Sequence, residues 1–302
     1  MLLSFEVALP PLGQQRTIVS LASQVESRHR SASGHLTIAR HTIERFRQAV
    51  LASACSGRLT ANWREKDEEQ PSVENVFNPT GDLPDHMASA DIPASWRWAR
   101  LKEMATSIQY GFTASSTTDA IGPRLLRITD IQDGRVDWSS VPHCFVPADA
   151  ERRYRLRKGD LVFARTGATT GKSFLLRAEP PRSVFASYLI RVRLTDELDQ
   201  EYTARFFESP LYWAQIADAS VGTGQPNVNG TRLSELWVPL PSPAEQHEIV
   251  RRVNSLFSRV ESVETRIVSA VRASVSLAGV VTAGLLAAES SDKPDGASPW
   301  TT

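Results

Sequence analysis

Cysteine is nearly absent from this chain: there are two in 302 residues, Cys55 and Cys144. No disulfide framework can support the fold, and a reducing, cytoplasmic setting suits it best. Lysine is almost as scarce, at 66, 102, 158, 172 and 293. The residues two before them are Arg64, Arg100, Leu156, Thr170 and Ser291. None is acidic, so the acid-x-Lys triplet that many metal-dependent nucleases use is missing. No Cys-x-x-Cys occurs, and the six histidines do not pair at ligand spacing, so no metal site is expected. The adjacent His143 and Cys144 read as packing. Long hydrophobic runs are also lacking. The uncharged stretch from Ala273 to Ala288 is shorter than the ~20 residues of a membrane span and carries Ser274, Ser276 and Thr282. The N-terminus has no basic segment ahead of an apolar run, so no leader is expected.

Net charge is also absent: 34 basic residues balance 34 acidic ones. The balance is a cancellation between segments. From Glu151 to Arg193 there are eleven Lys/Arg and three Asp/Glu, a local +8. From Glu65 to Asp91 there are one Lys and eight Asp/Glu, a local −7. A basic field can therefore attract phosphates although the whole chain is neutral.

What the chain does contain is a distant internal repeat. It reads Val7-Ala-Leu-Pro-Pro-Leu-Gly-Gln-Gln15-Arg-Thr-Ile-Val19 near the start and Val238-Pro-Leu-Pro-Ser-Pro-Ala-Glu-Gln246-His-Glu-Ile-Val250 near the end. Both copies pass from a short apolar strand through prolines into a helix. After the first, Leu21, Val25, His29, Ala32, Leu36, Ala39, Ile43, Phe46 and Val50 recur at spacings of three and four. After the second, Val253, Leu256, Val260, Val263, Ile267 and Ala270 do the same. The spacing predicts two helices of about 40 residues, each roughly 60 Å long, with heptad-like seams. Ser242 and Pro243 suit a helix start, and Ser56-Gly57 suits an end. Two such helices flanking a domain would lie antiparallel as a coiled-coil stalk.

These features divide the chain into five parts. Residues 1–63 hold a leading strand and the first long helix. Residues 64–92 form an acidic linker. Residues 93–241 form a globular domain, 242–288 the second long helix, and 289–302 a disordered tail. The globular domain has short strand-type runs: Arg124-Leu-Leu-Arg-Ile-Thr, Asp160-Leu-Val-Phe-Ala and Ser187-Tyr-Leu-Ile-Arg-Val-Arg-Leu. Turn signals at Asp133-Gly134 and Lys158-Gly159-Asp160 separate them, and Tyr202 to Ala217 reads as a helix. The fold class is α+β.

Gly167-Ala-Thr-Thr-Gly171-Lys172-Ser173 resembles a phosphate-binding loop but is one residue short between its glycines. Phe174-Leu-Leu-Arg follows it as a strand, where such a loop needs a helix. It reads better as a hairpin tip facing a nucleic-acid backbone through Thr169, Thr170 and Lys172. A plain structural turn is the alternative. No glycine-rich cofactor loop and no Asn/Asp-Pro-Pro-aromatic run is present, so no cofactor is expected in this chain. The candidate DNA-binding residues are Gln109, Tyr110, Arg124, Arg127, Arg165, Thr166, Thr169, Thr170, Lys172, Ser187, Tyr188, Gln225, Asn227 and Asn229. Arginine can fork onto guanine, and Asn or Gln onto adenine. The amide-rich run Gly222-Thr-Gly-Gln-Pro-Asn227-Val-Asn229-Gly costs entropy to order unless it touches something.

The combination resembles the specificity (S) subunit of type I restriction–modification systems. It is carried by Ile92-Pro-Ala-Ser-Trp-Arg-Trp98, Leu156-Arg-Lys-Gly159-Asp160-Leu-Val-Phe-Ala-Arg165-Thr-Gly167, Gly171-Lys172, Gly224-Gln-Pro-Asn227-Val-Asn229 and Leu236-Trp-Val-Pro239-Leu-Pro-Ser-Pro-Ala-Glu-Gln246. The helix ends Ala54-Cys-Ser-Gly57-Arg58-Leu59 and Gly284-Leu285 also fit. The resemblance implies a non-catalytic reader of double-stranded DNA. It would hold methyltransferase (M) subunits that use S-adenosylmethionine. A restriction (R) subunit would bring ATP-driven, magnesium-dependent cleavage. A full S subunit has two recognition domains, whereas this chain has one between two helices, after Phe5-Glu-Val-Ala-Leu-Pro, which resembles the tail of another. A homodimer through the long helices would restore two readers of a bipartite target. The alternative is a truncated remnant or coiled-coil assembly factor that binds M subunits without useful DNA specificity.

Overall fold

A computed structural model describes residues 11–66, 83–84, 87, 92–132, 134–167, 169–218 and 228–288, with side chains as far as residue 273. In chain order the elements are α1 (Leu12–Cys55), a 3-10 turn (Arg58–Thr60), α2 (Ala61–Arg64), β1 (Arg97–Arg100), α3 (Leu101–Met104), β2 (Ala105–Tyr110), β3 (Ser116–Thr117), β4 (Arg124–Leu126), a second 3-10 turn (Ile128–Asp130), β5 (Ile131–Gln132), β6 (Arg135–Val136) and β7 (His143–Cys144). They continue with α4 (Ala148–Tyr154), β8 (Leu161–Ala164), β9 (Ser173–Leu175), β10 (Ser183–Phe185), β11 (Leu189–Leu194), α5 (Gln200–Phe206), α6 (Pro210–Asp218), α7 (Gly230–Ser234), β12 (Trp237–Leu240) and α8 (Pro243–Ala288). This is the expected α+β composition, with a long helix before the globular domain in sequence and another after it. The strand expected before α1, the greater part of the acidic linker and the tail fall outside the described residues.

The chain forms two units. One holds residues 1–46 and 257–302; the other holds 47–256. In the first, α1 and α8 pack side by side, with Leu36, Ala39 and Ile43 across from Glu264, Ile267 and Val268. The covered positions of α1 include 21, 25, 32, 36, 39 and 43, close to the expected seam. His29 and Phe46, expected on it, are exposed. In α8 the covered positions include 253, 256, 260, 264, 267 and 271, with Phe257 beside them, so Val263 and Ala270 give way to their C-terminal neighbours. That run averages 3.6 residues per turn, the period of a straight helix, whereas a strict heptad would need 3.5.

Both helix ends in the second unit follow from local chemistry. α8 starts at Pro243, and the Glu245 N–H donates to Ser242 Oγ at 3.3 Å. The cap therefore satisfies a donor that has no partner inside the helix. α1 stops at Cys55, and Gly57 follows with φ +73°. A Cβ on Gly57 would lie 2.4 Å from Pro93 Cγ, so both backbone conformation and close approach require glycine there.

The main sheet has the order β2-β11-β8-β9 and is antiparallel throughout. A second sheet has the order β10-β4-β7-β3, with β10 and β4 parallel. β1 pairs with β12, joining the two ends of the globular domain. The main sheet is covered on both faces, which explains why β8 is wholly apolar and does not alternate. Leu161 and Phe163 point into a core with Phe206, Phe207 and Tyr212, whereas Val162 joins Leu126, Leu156 and Phe185 on the other side. Phe163 and Phe207 meet edge to face at 4.8 Å.

The single helix expected over Tyr202–Ala217 is two, α5 and α6. Pro210 has no N–H to continue the first. The Ser209 hydroxyl instead accepts the Tyr212 N–H at 3.3 Å and starts the second.

Candidate nucleic-acid interface

Three neighbouring strands bring three candidate residues together. β2 ends at Tyr110, β8 runs out into Arg165, and β11 is entered from Tyr188. Because β2 and β8 both flank β11, these ends share one edge of the sheet. The Arg165 N–H donates to the Tyr188 carbonyl at 3.0 Å, and the Arg165 carbonyl accepts from Val228 N–H at 3.0 Å. The Arg165 guanidinium lies 5.1 Å from the centre of the Tyr110 ring. That ring is held from its far end, where the hydroxyl accepts the Gly230 N–H at 2.8 Å. Among the described residues no carboxylate pairs with Arg165, and its Nε has no hydrogen-bond partner. Tyr188 is 66% exposed. The result is a guanidinium stacked on a fixed aromatic face with its fork unspent, beside an open phenol. Such a group can read a guanine edge or grip a phosphate.

The glycine-rich segment next to it is a hairpin tip between β8 and β9, as its sequence implied. The Thr170 N–H and hydroxyl donate to the Gly167 carbonyl at 3.1 and 2.6 Å, and Lys172 N–H donates to the Thr169 carbonyl at 2.9 Å. Lys172 is exposed, while Thr166, Thr169, Thr170 and Ser187 are half-buried. The tip is anchored from below, where Tyr212 donates its hydroxyl to the Gly171 carbonyl. Gly171 has φ +84°, and a Cβ there would lie 3.1 Å from the Trp213 ring. The tip is thus a tethered turn fused to the Arg165 cluster.

Other candidates are used elsewhere. Gln109 precedes Tyr110 in β2, so its side chain lies on the opposite face of the strand. It accepts a hydrogen bond from buried Arg191. Arg124 lies on β4 and donates to the Val141 carbonyl at 2.6 Å and to the Ser139 carbonyl at 3.4 Å. Arg127 forms a two-point pair with Asp130, at 3.1 and 2.7 Å, which raises its pKa. Asn229 caps α7, its side-chain oxygen accepting the Arg232 N–H at 2.8 Å, and so presents Gly230 to Tyr110. Gln225 and Asn227 lie outside the described residues. A group of exposed cations at Arg152, Arg153, Arg155, Arg157 and Lys158 is not among the sequence candidates. Its signal lies within the +8 of the Glu151–Arg193 segment, where charge alone does not separate exposed cations from buried ones.

Among the described residues no three His, Cys, Asp or Glu side chains converge as metal ligands, and no helix is long and apolar enough to cross a membrane. His143 and Cys144 sit in β7, with Cys144 buried and His143 Nδ1 3.0 Å from the Gly122 carbonyl.

The fold and this cluster define an α+β domain that presents a cationic, aromatic edge and is continuous in sequence with two long helices. Residues 148–270 match the family described as type I restriction modification DNA specificity domain. The chain is 27% identical over 270 residues to the type I restriction enzyme EcoKI specificity subunit of Escherichia coli K12, covering 88% of this chain and 53% of that one. It is 25% identical over 184 residues to a putative type I restriction enzyme MjaX specificity subunit of Methanocaldococcus jannaschii, covering 59% and 43%. A structure solved in work on assembly and conformational transition of the type I R-M system superimposes with a TM-score of 0.62 at 19% identity, covering 92% of this chain and 60% of that one. The chain is therefore similar to type I restriction–modification specificity subunits, as its motifs implied. It spans about half the length of the curated relatives it matches.

Proposed function

We propose that this chain is a DNA-target-reading specificity subunit, which directs methyltransferase and restriction subunits to a bipartite sequence and performs no catalysis itself. The observation that carries the reading is the Arg165 guanidinium, unpaired by any carboxylate among the described residues and stacked on Tyr110 beside the Gly167–Lys172 tip. A purely structural arginine would be expected to find an acidic partner or a carbonyl, as Arg127 and Arg124 do. On this reading the chemistry belongs to the partners: S-adenosylmethionine on the M subunits, ATP and magnesium on the R subunit. The complex works in the cytoplasm. One recognition domain reads one half-site, and two copies joined through the long helices read a split palindrome.

Methylation mapping of cells carrying this chain and its M partner tests the reading. A gapped, symmetric adenine-methyl motif that vanishes when the chain is deleted is expected. Methylation with no motif would make the chain a remnant or assembly factor. Light scattering is expected to give a dimer, and a strict monomer, both free and with M subunits, would exclude the pairing. The purified chain with magnesium is expected to leave DNA uncut.

A further inference from the structure

We propose that Arg152–Lys158 is a second DNA contact, a sequence-independent strip that grips the phosphate backbone away from the reading cluster. It rests on the DNA-reading function above and adds to it a surface that supplies affinity without sequence information.

The strip has five cations and no acid in seven residues, and all five are exposed. The two residues between them are its anchors. Leu156 is buried, and Tyr154 packs between Phe112 at 5.3 Å and Phe185 at 6.1 Å. In an extended segment, burying Leu156 turns Arg155 and Arg157 outward on either side of it. Among the described residues none of the five side chains has a carboxylate within ion-pair distance. Nearby acids are mostly committed. Glu151 is held by Arg182 at 2.6 Å, Glu179 accepts the Lys158 N–H at 2.9 Å, and Asp160 is held by Arg193 at 2.6 Å. Asp196 and Glu197 line the same cleft as Arg157 and Lys158, and Glu151 acts on Arg155 through space, so the five cations are partly offset but keep a net positive charge.

More positive charge lies underneath. Buried Arg191 donates to the carbonyls of Arg155 at 2.9 Å and Arg153 at 3.3 Å, and Arg193 donates to the Arg155 carbonyl at 3.1 Å. These bonds pin the backbone of the strip through its own carbonyls. Arg191 is pushed down to about 10, by burial first and then by Arg193 and Arg157 against the pull of Asp160. Arg191, Arg193 and Arg157 thus share one buried carboxylate, Asp160. Such repulsion costs folding free energy unless a polyanion relieves it.

Phosphate fits better than base edges. A reading arginine is held rigid, as Arg165 is on Tyr110, whereas the side chains of Arg152, Arg155, Arg157 and Lys158 hang from a fixed backbone and make no hydrogen bonds among the described residues. β8 connects Asp160 at the strip to Arg165 at the reading edge. At ~3.3 Å per residue the two lie on the order of 15–20 Å apart, the length of about five base pairs at ~3.4 Å each.

The test uses the full chain and a fluorescent duplex of random sequence, titrated between roughly 50 and 200 mM salt. The variant replaces all five residues with Gln (Arg152→Gln, Arg153→Gln, Arg155→Gln, Arg157→Gln, Lys158→Gln); a companion replaces the four arginines with Lys. The Gln variant is expected to flatten the slope of log affinity against log salt by ~0.9 for each phosphate that is no longer neutralised, about three to five phosphates in all. The Lys variant is expected to keep the parent slope, because a point charge suffices. Circular dichroism of both variants should match the parent; the Lys variant should melt like the parent and the Gln variant no lower, since it loses the repulsion. If the parent binds and the Gln variant keeps its slope, the strip is not a DNA contact, and an acidic protein surface becomes its occupant. If the parent binds no duplex at all, the reading function itself fails.

Discussion

Trp96 donates its indole N–H to the Glu245 carboxylate at 2.8 Å, across 149 residues of chain. The same buried carboxylate accepts the Thr60 hydroxyl at 2.6 Å and pairs with Arg64. One side chain at the start of α8 therefore ties the end of α1 to the start of the recognition domain. Replacing Glu245 with Ala leaves the Trp96 indole without its acceptor and a largely buried guanidinium without its counter-charge. The loss expected is about 3–5 kcal/mol, the usual cost of breaking a buried charge pair from one side. Urea unfolding of Glu245→Ala measures it, and a double cycle with Arg64→Ala should be strongly non-additive.

Tyr110 and Arg165 act as a pair in DNA binding. Arg165→Ala is expected to weaken target binding by about 1–3 kcal/mol, roughly five- to 150-fold, with little effect on stability. Tyr110→Phe keeps the ring under the guanidinium but releases the Gly230 N–H, and should cost about 1 kcal/mol. Fluorescence anisotropy on a duplex carrying the mapped motif separates the two.

Gly171 should tolerate no side chain. Alanine there would adopt φ +84° and press on Trp213 at 3.1 Å. The left-handed backbone alone costs about 1–2 kcal/mol for an L-residue. Gly171→Ala is therefore expected to lower the melting temperature and to weaken DNA binding through displacement of the tip. Unchanged binding would separate the tip from the interface.

Alkaline pH should destabilise the fold through Cys55. Burial pushes this thiol up to about 12 from an ordinary 9.0, against a lowering bond from Ser209. Below about pH 9 both folded and unfolded states keep the proton, and the contribution is complete. Above it the unfolded chain ionises first, so stability falls as pH rises toward about 12. Cys144, pushed up to about 11 by burial and then by Glu151, adds a smaller effect over a narrower window. Cys55→Ala is expected to flatten this alkaline decline. In the native parent both thiols should resist alkylation near about pH 8.

Periodic features were legible in the sequence. The proline-to-helix repeat located α8 to the residue, because Ser242 and Pro243 act within one turn and need no distant partner. Ser56-Gly57 marked the end of α1 for the same reason. The hairpin at Gly167–Lys172 was legible because one missing residue and a following strand excluded a phosphate loop. The roles of individual side chains were harder to read. Gln109 and Tyr110 are adjacent in the chain, yet strand alternation sends one to buried Arg191 and the other to Arg165. Arg127 and Arg165 look alike in composition, but Asp130 occupies the first and leaves the second open. Asp130 lies only three residues from Arg127, but the Tyr110 ring that receives Arg165 is distant in the chain and reaches it only through the sheet.

The sequence alone therefore determined the class of fold, the two long helices with their ends, and the kinship implied by the motifs, since these rest on interactions between residues close in the chain. Tertiary structure decided which cations are spent inside the protein and which remain available. That outcome depends on partners such as Glu245 for Arg64 and Tyr110 for Arg165, which only the tertiary fold brings within reach.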